Sequence, residues 1–252
     1  MYNKYVFFEK EIPFEQMEKL GMDRKMLLSA PRQILEPLLN GEITPLLASR
    51  IKASNGKEVI IPLKMQLRRG KNGEVDVITY PVRNQITSDV RLNFREIEKL
   101  EKGEVIKKNV NEEGRHILKF LQLDEETKCV MIRNAANIRV QDKLRNIESI
   151  NDIQIGMTQK QAAVEGKPVE LTIGDKKVSV GVDLKEPQGF KVLHGDLEEW
   201  EKQKKIKYDL ENEGFMGYVM TDENRWQYQK VVDRLEGKHN KLEQKKENGL
   251  KI

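Results

Sequence analysis

Three glycines divide this chain into near-equal parts. Gly41, Gly103 and Gly166 lie 62 and 63 residues apart. Each follows a short stretch with helical apolar spacing and precedes a run that alternates like a strand. The local strings are Leu39-Asn40-Gly41-Glu42-Ile43, Leu100-Glu101-Lys102-Gly103-Glu104-Val105 and Val164-Glu165-Gly166-Lys167-Pro168-Val169. A glycine just past the last apolar turn ends a helix, because without a Cβ it reaches positive φ at little steric cost. Self-similarity at a fixed period predicts a repeated supersecondary module. A single active site would then have to sit on something the copies do not share.

The first module is the fullest. Pro13 suits the first turn of a helix lined by Phe14, Met17 and Leu20 and ended by Gly21. A second helix holds Met26, Leu27 and Leu28, and a third starts from Ser29 as cap, with Ile34, Leu35, Leu38 and Leu39 as its stripe. After Gly41 the period changes. Leu46 to Ile51 reads as a strand, and Ser54-Asn55-Gly56-Lys57 as a hairpin turn. Val59, Ile61, Leu63, Met65 and Leu67 then mark one buried face of a second strand, whose Pro62 argues for an edge or a bulge. Arg69-Gly70-Lys71-Asn72-Gly73 turns into a third strand with Val75, Val77 and Thr79.

The second and third copies repeat helix, glycine and meander. Asn93 and Glu96 form a capping-box pair ahead of Gly103, and strands are expected at Val105 to Val110, Ile117 to Leu123 and Cys129 to Arg133. Thr158 and Gln161 suit the same box ahead of Gly166, with strands at Val169 to Ile173, Val178 to Leu184 and Phe190 to His194. A fourth unit departs from the plan: Asp196 caps a helix with Leu197 and Trp200, an aromatic strand follows at Phe215 to Met220, and a last helix carries Trp226 and Leu235. The expected fold is therefore α+β, with three tandem modules of helix plus three-stranded antiparallel meander and an atypical α/β C-terminal cap. The boundaries are 1–86, 87–150, 151–195 and 196–236, with a polar tail over 237–252 expected to be disordered.

Bulk properties narrow the function classes. Of 252 residues, 38% are hydrophobic and 34% charged, so a core is accessible but the surface is heavily solvated. Net charge is +4, too mild to announce a nucleic-acid binder by itself. The single Cys129 excludes an internal disulfide, and its apolar neighbours suggest burial. The first ten residues lack the features of a signal peptide, and no apolar run approaches the length of a membrane span. A cytoplasmic protein with no membrane partner is expected.

Catalytic chemistry finds little to stand on. His116, His194 and His239 fall in different units without paired spacing, and no phosphate-binding glycine loop is present. Glu165-Gly166-Lys167 has the acid-x-Lys form of metal-dependent nucleases, with Asp183 downstream, but its glycine is the helix stop of the repeat. No catalytic residue, metal site or cofactor is assigned. Basic residues cluster more usefully in the first meander. Arg50, Lys52, Lys57, Lys64, Arg68, Arg69 and Lys71 are interrupted by one acid, Glu58. Alternation puts Arg50 and Lys52 on one face and points Lys64 away from the apolar row. Such a surface can neutralise phosphates, or simply guard a strand edge. The aromatic residues Trp200, Phe215, Tyr218, Trp226 and Tyr228 in the last unit read either as a ligand- or partner-binding surface or as core.

Two stretches carry a resemblance. Ile12-Pro13-Phe14-Glu15-Gln16-Met17-Glu18-Lys19-Leu20-Gly21-Met22 with Leu38-Leu39-Asn40-Gly41-Glu42-Ile43-Thr44-Pro45-Leu46 resembles an uncharacterised domain family in accessory proteins of conjugative transposons of gut bacteria. Leu92 through Gly103-Glu104-Val105-Ile106 to Phe120-Leu121-Gln122-Leu123-Asp124-Glu125-Glu126-Thr127 resembles a second such domain that follows the first. The resemblance implies a mobile-element setting, sometimes beside DNA-processing domains, and brings no catalytic residues with it. The expectation is a non-enzymatic binding or adaptor protein of a mobile element, contacting DNA or RNA through a basic sheet surface. The alternative is a pure protein–protein module whose partner comes from the same element.

Overall fold

The computed structural model describes residues 6–52, 55–70, 72–206, 214–221, 223 and 225–233. The chain divides into two compact units, Met1–Asn84 with Glu211–Ile252 and, between them in sequence, Gln85–Leu210.

The first unit opens with three short helices, α1 (Phe14–Lys19), α2 (Arg24–Leu28) and α3 (Arg32–Asn40). Asp23 caps α2 by accepting the Met26 N–H at 2.7 Å. The cap expected of Ser29 for α3 is not made. Ser29 ends α2 with its hydroxyl donating to the Met26 carbonyl, and α3 starts after Pro31. The meander follows as β1 (Leu47–Lys52), β2 (Glu58–Arg69) and β3 (Val75–Pro81), antiparallel throughout. Leu63, Met65 and Leu67 of β2 face Met17, Leu27, Ile34 and Leu38 from the helices, all nearly or fully buried.

In the second unit α4 (Phe94–Glu101) precedes the sheet of β4 (Ile106–Glu112), β5 (Arg115–Asp124) and β6 (Cys129–Asn134). The Asn93 and Glu96 box forms in full, each side chain accepting the other's backbone N–H. A helix not assigned from the sequence, α5 (Val140–Asn151), buries Val140, Leu144 and Ile147, spaced four and three apart on one face. Then come α6 (Met157–Val164), the sheet of β7 (Val169–Ile173), β8 (Lys176–Val182) and β9 (Phe190–His194), and α7 (Leu197–Ile206). The box at Thr158 and Gln161 moves two residues back: Gln159 accepts the N–H of Gly156, the N-cap. Asp196 caps α7 as expected, accepting from Glu199 N.

The repeat is real at the level of single hydrogen bonds. Gly41, Gly103 and Gly166 have φ of 72°, 75° and 88°. In each copy the glycine N–H bonds three residues back, to Leu38, Leu100 or Ala163. The next N–H bonds five back, from Glu42 to Pro37, Glu104 to Lys99 and Lys167 to Ala162. This is the Schellman arrangement, repeated three times, and the residue three before each glycine is fully buried.

The last elements correct the sequence reading. Residues 226–233, expected as a helix, form strand β11 (Trp226–Asp233), paired antiparallel with β10 (Gly214–Met220). This hairpin returns to the first unit, where β10 runs parallel to β1, with Leu47 opposite Tyr218 and Ala48 opposite Val219. The first sheet thus has five strands in the order β11-β10-β1-β2-β3. Leu235 and the polar tail at 237–252 lie outside the described residues. Among the described residues no helix is long and apolar enough to cross a membrane.

Candidate nucleic-acid interface

β2 is far longer than the sheet around it. β3 pairs with Leu63 to Arg69, and β10 meets β1 only at Leu47 and Ala48. From Ser49 to Lys52 and from Glu58 to Ile61, β1 and β2 pair with each other and, among the described residues, with no third strand. The outcome is a two-stranded ribbon projecting from the sheet. Val59 and Ile60 are 44% and 56% exposed on it. Arg50, Lys52, Lys57 and Glu58 are exposed as well.

Register fixes which side chains share a face. Arg50 lies opposite Ile60 and Lys52 opposite Glu58, so these four line the face away from the helices. The other face carries Ile51 and Val59. Its base is anchored, since Ser49 Oγ donates to the Leu20 carbonyl. Gly21, at φ 74°, sits so close to the Arg50 carbonyl that a Cβ would overlap it. Only glycine lets the turn after α1 clamp the ribbon there.

The seven basic residues picked from sequence therefore separate. Arg50 and Lys52 share one face of the ribbon, and Lys57 is exposed just before β2 begins. Lys64 points away from the apolar row as expected, but it is buried rather than presented. Arg68 joins an internal network, donating to Gln66 Oε1 at 3.0 Å and to the Tyr80 hydroxyl at 3.1 Å, while Gln66 Nε2 donates to Gly41 O at 2.8 Å. Arg69 lies on the helix side, 2.8 Å from Glu11 Oε1 and 5.3 Å over the Phe7 ring. The Phe8 N–H, with Arg69 second, holds the Glu11 carboxyl below its ordinary value. Lys71 lies outside the described residues.

The aromatic residues also part company. Trp226 and Tyr218 pack against the helix-side core, and Trp226 Nε1 donates to the Met26 carbonyl at 3.3 Å. Phe215 is half-buried. Tyr218 and Tyr228 pair across β10 and β11 with ring centroids 5.0 Å apart, and burial, with Tyr228 beside it, pushes the Tyr218 phenol up. Tyr228 is the exposed member at 58%. Trp200 belongs to the second unit, buried against Gly181 and Pro168. The alternation at Val178, Val180 and Val182 signalled one covered face of β8. Both faces are covered, because Gly181 leaves room for the indole.

The acid-x-Lys string lies in a cleft of about 340 Å³ within the second unit, with Glu165, Lys167, Lys107 and Trp200 among its walls. Glu165 is committed to Lys107 at 3.1 Å. Asp183 is not in that lining; it accepts from Gln122 Nε2 and Lys185 N instead. Among the described residues no three His, Cys, Asp or Glu side chains are grouped to hold a metal ion. The string does the work of a turn.

Residues 7–91 match a family model described as a protein of unknown function (DUF4099). The match takes in α1 to α3, the whole first meander and therefore the ribbon, and stops short of β10 and β11. No curated protein and no solved structure matches the chain.

Proposed function

We propose that this chain is a non-enzymatic binding or adaptor module that contacts nucleic acid through the β1–β2 ribbon. One observation carries the reading: Arg50 and Lys52 share the outer face of a solvent-exposed ribbon, with Lys57 exposed just before β2 and Glu58 as its one carboxylate. Exposed cations on a narrow projection reach phosphates without a cleft and release condensed counterions when they do. The setting in a mobile genetic element rests on the resemblance of the Ile12–Met22 and Leu38–Leu46 strings.

Binding of fluorescent oligonucleotides across a salt series tests this. Three phosphate contacts give a slope of log affinity against log salt of about −2 to −3. Replacing Arg50, Lys52 and Lys57 with Ala should abolish most of the affinity and flatten the slope. Arg69→Ala should leave both nearly unchanged, since that side chain is held by Glu11. No binding at low salt, or equal loss in both variants, overturns the proposal.

A second reading, a protein partner, is favoured by the outer strand β11, which ends the five-stranded sheet with Tyr228 exposed. An open edge accepts an added strand. Tyr228→Ala combined with a proline at Gln229 should weaken such a partner while leaving nucleic-acid affinity intact.

A further inference from the structure

We infer that the cleft in the second unit binds a small organic anion, a single flat ring bearing one carboxylate or phosphate. The site is separate from the ribbon and stands whether or not the ribbon takes nucleic acid.

Two copies of the module build it. Gly103 turns the chain out of α4 toward β4, and Gly166 turns it out of α6 toward β7. Val105 to Lys107, just past the first glycine, and Lys167 and Pro168, just past the second, line the same cleft, together with Trp200 of α7. Here the copies differ. The position after the glycine holds Glu42, Glu104 and Lys167 in turn, so the third copy alone brings a cation there.

Charge decides what such a cleft attracts. Lys99, Lys107 and Lys167 line it against Glu104, Glu165 and Glu201, so the count balances. The pairing does not. Glu165 is taken by Lys107 at 3.1 Å and by Gln161 Nε2 at 3.3 Å. Glu104 acts on Lys102, whose ammonium is held charged by Glu98 first and by Glu104 in addition. Glu201 is engaged as well. Lys99 and Lys167 are exposed and, among the described residues, have no ion-pair partner. The uncommitted charge is two ammoniums, which suit the oxygens of one acid group.

The rest of the wall sets the body of the ligand. Val105, Ile106, Pro168 and Val182 are apolar, and the Trp200 ring joins them. Trp200 is 5% exposed, yet its Nε1–H has no acceptor. The same edge of the indole lies by Pro168: a Cβ on Gly181 would stand 2.9 Å from Trp200 Cζ2 and 3.0 Å from Pro168. An unpaired buried N–H lowers stability, and one kept in the wall of a cleft is explained by an acceptor that arrives from outside. It is shielded from solvent, so a ligand oxygen meets it as the wall adjusts on binding. At about 340 Å³ the cleft is at the small end of ligand sites, about 300–1,000 Å³, which suits one ring and one acid group.

Isothermal titration calorimetry of the full chain tests this with four probes: phenyl phosphate, benzoate, phenol and inorganic phosphate. One or both of the aromatic acids should bind, the tighter identifying the acid group, while phenol and inorganic phosphate should bind at least about tenfold more weakly. Lys99→Ala and Lys167→Ala should each weaken the aromatic acid about tenfold. Lys176→Ala, exposed on β8 and outside the cleft, should not. Trp200→Phe keeps a ring but removes the N–H. It should leave the circular dichroism unchanged and the urea midpoint no lower, yet weaken the aromatic acid at least about threefold. No binding of either aromatic acid, phenol binding as tightly as they do, or equal loss in Lys176→Ala and Lys167→Ala overturns the proposal. Parental affinity in a folded Trp200→Phe overturns the part given to the N–H.

Discussion

The ring of Phe120, on β5, lies directly over Gly166, so that a Cβ built on the glycine would stand 2.9 Å from Cε1 and 3.3 Å from Cδ1. Val105 Cγ1 closes the same space at 3.3 Å. Gly41 is sealed in the same manner by Phe7, whose Cε2 would lie 2.9 Å away. Gly103 is the open member of the set, its nearest neighbour being Glu125 Oε1 at 3.7 Å. Three residues with one backbone role thus differ in what covers them.

Alanine at Gly103 and at Gly166 should separate these two contributions. Both positions hold positive φ, which costs a side chain about 1–2 kcal/mol. At Gly166 the added methyl also meets Phe120 and Val105, an overpacking penalty of about 1–3 kcal/mol more. Both sites lie in the second unit, so urea denaturation followed by Trp200 fluorescence should rank Gly166→Ala clearly below Gly103→Ala. Equal midpoints would show that Phe120 gives way without strain.

The C-terminal hairpin is structural to the first unit, and Trp226 should reveal it. Its indole packs on the helix-side core and bonds the Met26 carbonyl. Trp226→Ala should cost about 3 kcal/mol, the low end for a large aromatic because the ring is partly exposed. Tyr228→Ala, at a mostly exposed position, should stay within about 1 kcal/mol. Thermal denaturation by circular dichroism measures both, while Trp200 reports that the second unit is untouched. A stable Trp226→Ala protein would return that residue to the role of a partner contact.

What could be read from the chain follows from the range of each interaction. Helix stops and hairpins depend on near neighbours, so the glycines, the Asn93 cap and all three meanders were legible. Strand β11 was not, because it is held by pairing with β10 and through it β1, some 170 residues away in sequence, and the spacing of Val231 and Val232 to Leu235 mimics a helical stripe. Alternation told which face Lys64 occupies, but not that the face is buried at that point. For the ribbon, Arg50 and Lys52 were legible as a pair. The lengths of β3 and β10, which leave that pair standing clear, were not.

Acid should weaken the second unit through Glu96. Burial alone would raise its carboxyl, yet Lys108 at 2.6 and 2.7 Å and the Asn93 N–H outweigh it and hold the pKa below the ordinary 4.5. A carboxyl lowered by folding stabilises in full above its unfolded value, and that contribution is lost as pH falls through the folded one. Urea midpoints should therefore drop on acidification across this window. Glu96→Gln should be less stable than the parent above pH 4.5 and converge with it below. A constant gap at all pH values would mean the loss is of packing rather than charge.

Gln66 ties the first glycine to the far face of its own sheet. It is fully buried, with Nε2 donating to Gly41 O at 2.8 Å and Oε1 accepting from Arg68 at 3.0 Å and the Tyr80 hydroxyl at 3.2 Å. Gln66→Leu keeps the volume but strips three hydrogen bonds at once, which should cost about 1–3 kcal/mol in the first unit. Tyr80→Phe removes one hydroxyl and should cost about 1 kcal/mol. Because both changes act on one network, the double variant should lose less than the two singles together, by about 0.5 kcal/mol or more. Strict additivity in denaturation midpoints would mean that Arg68, rather than Gln66, holds the network together.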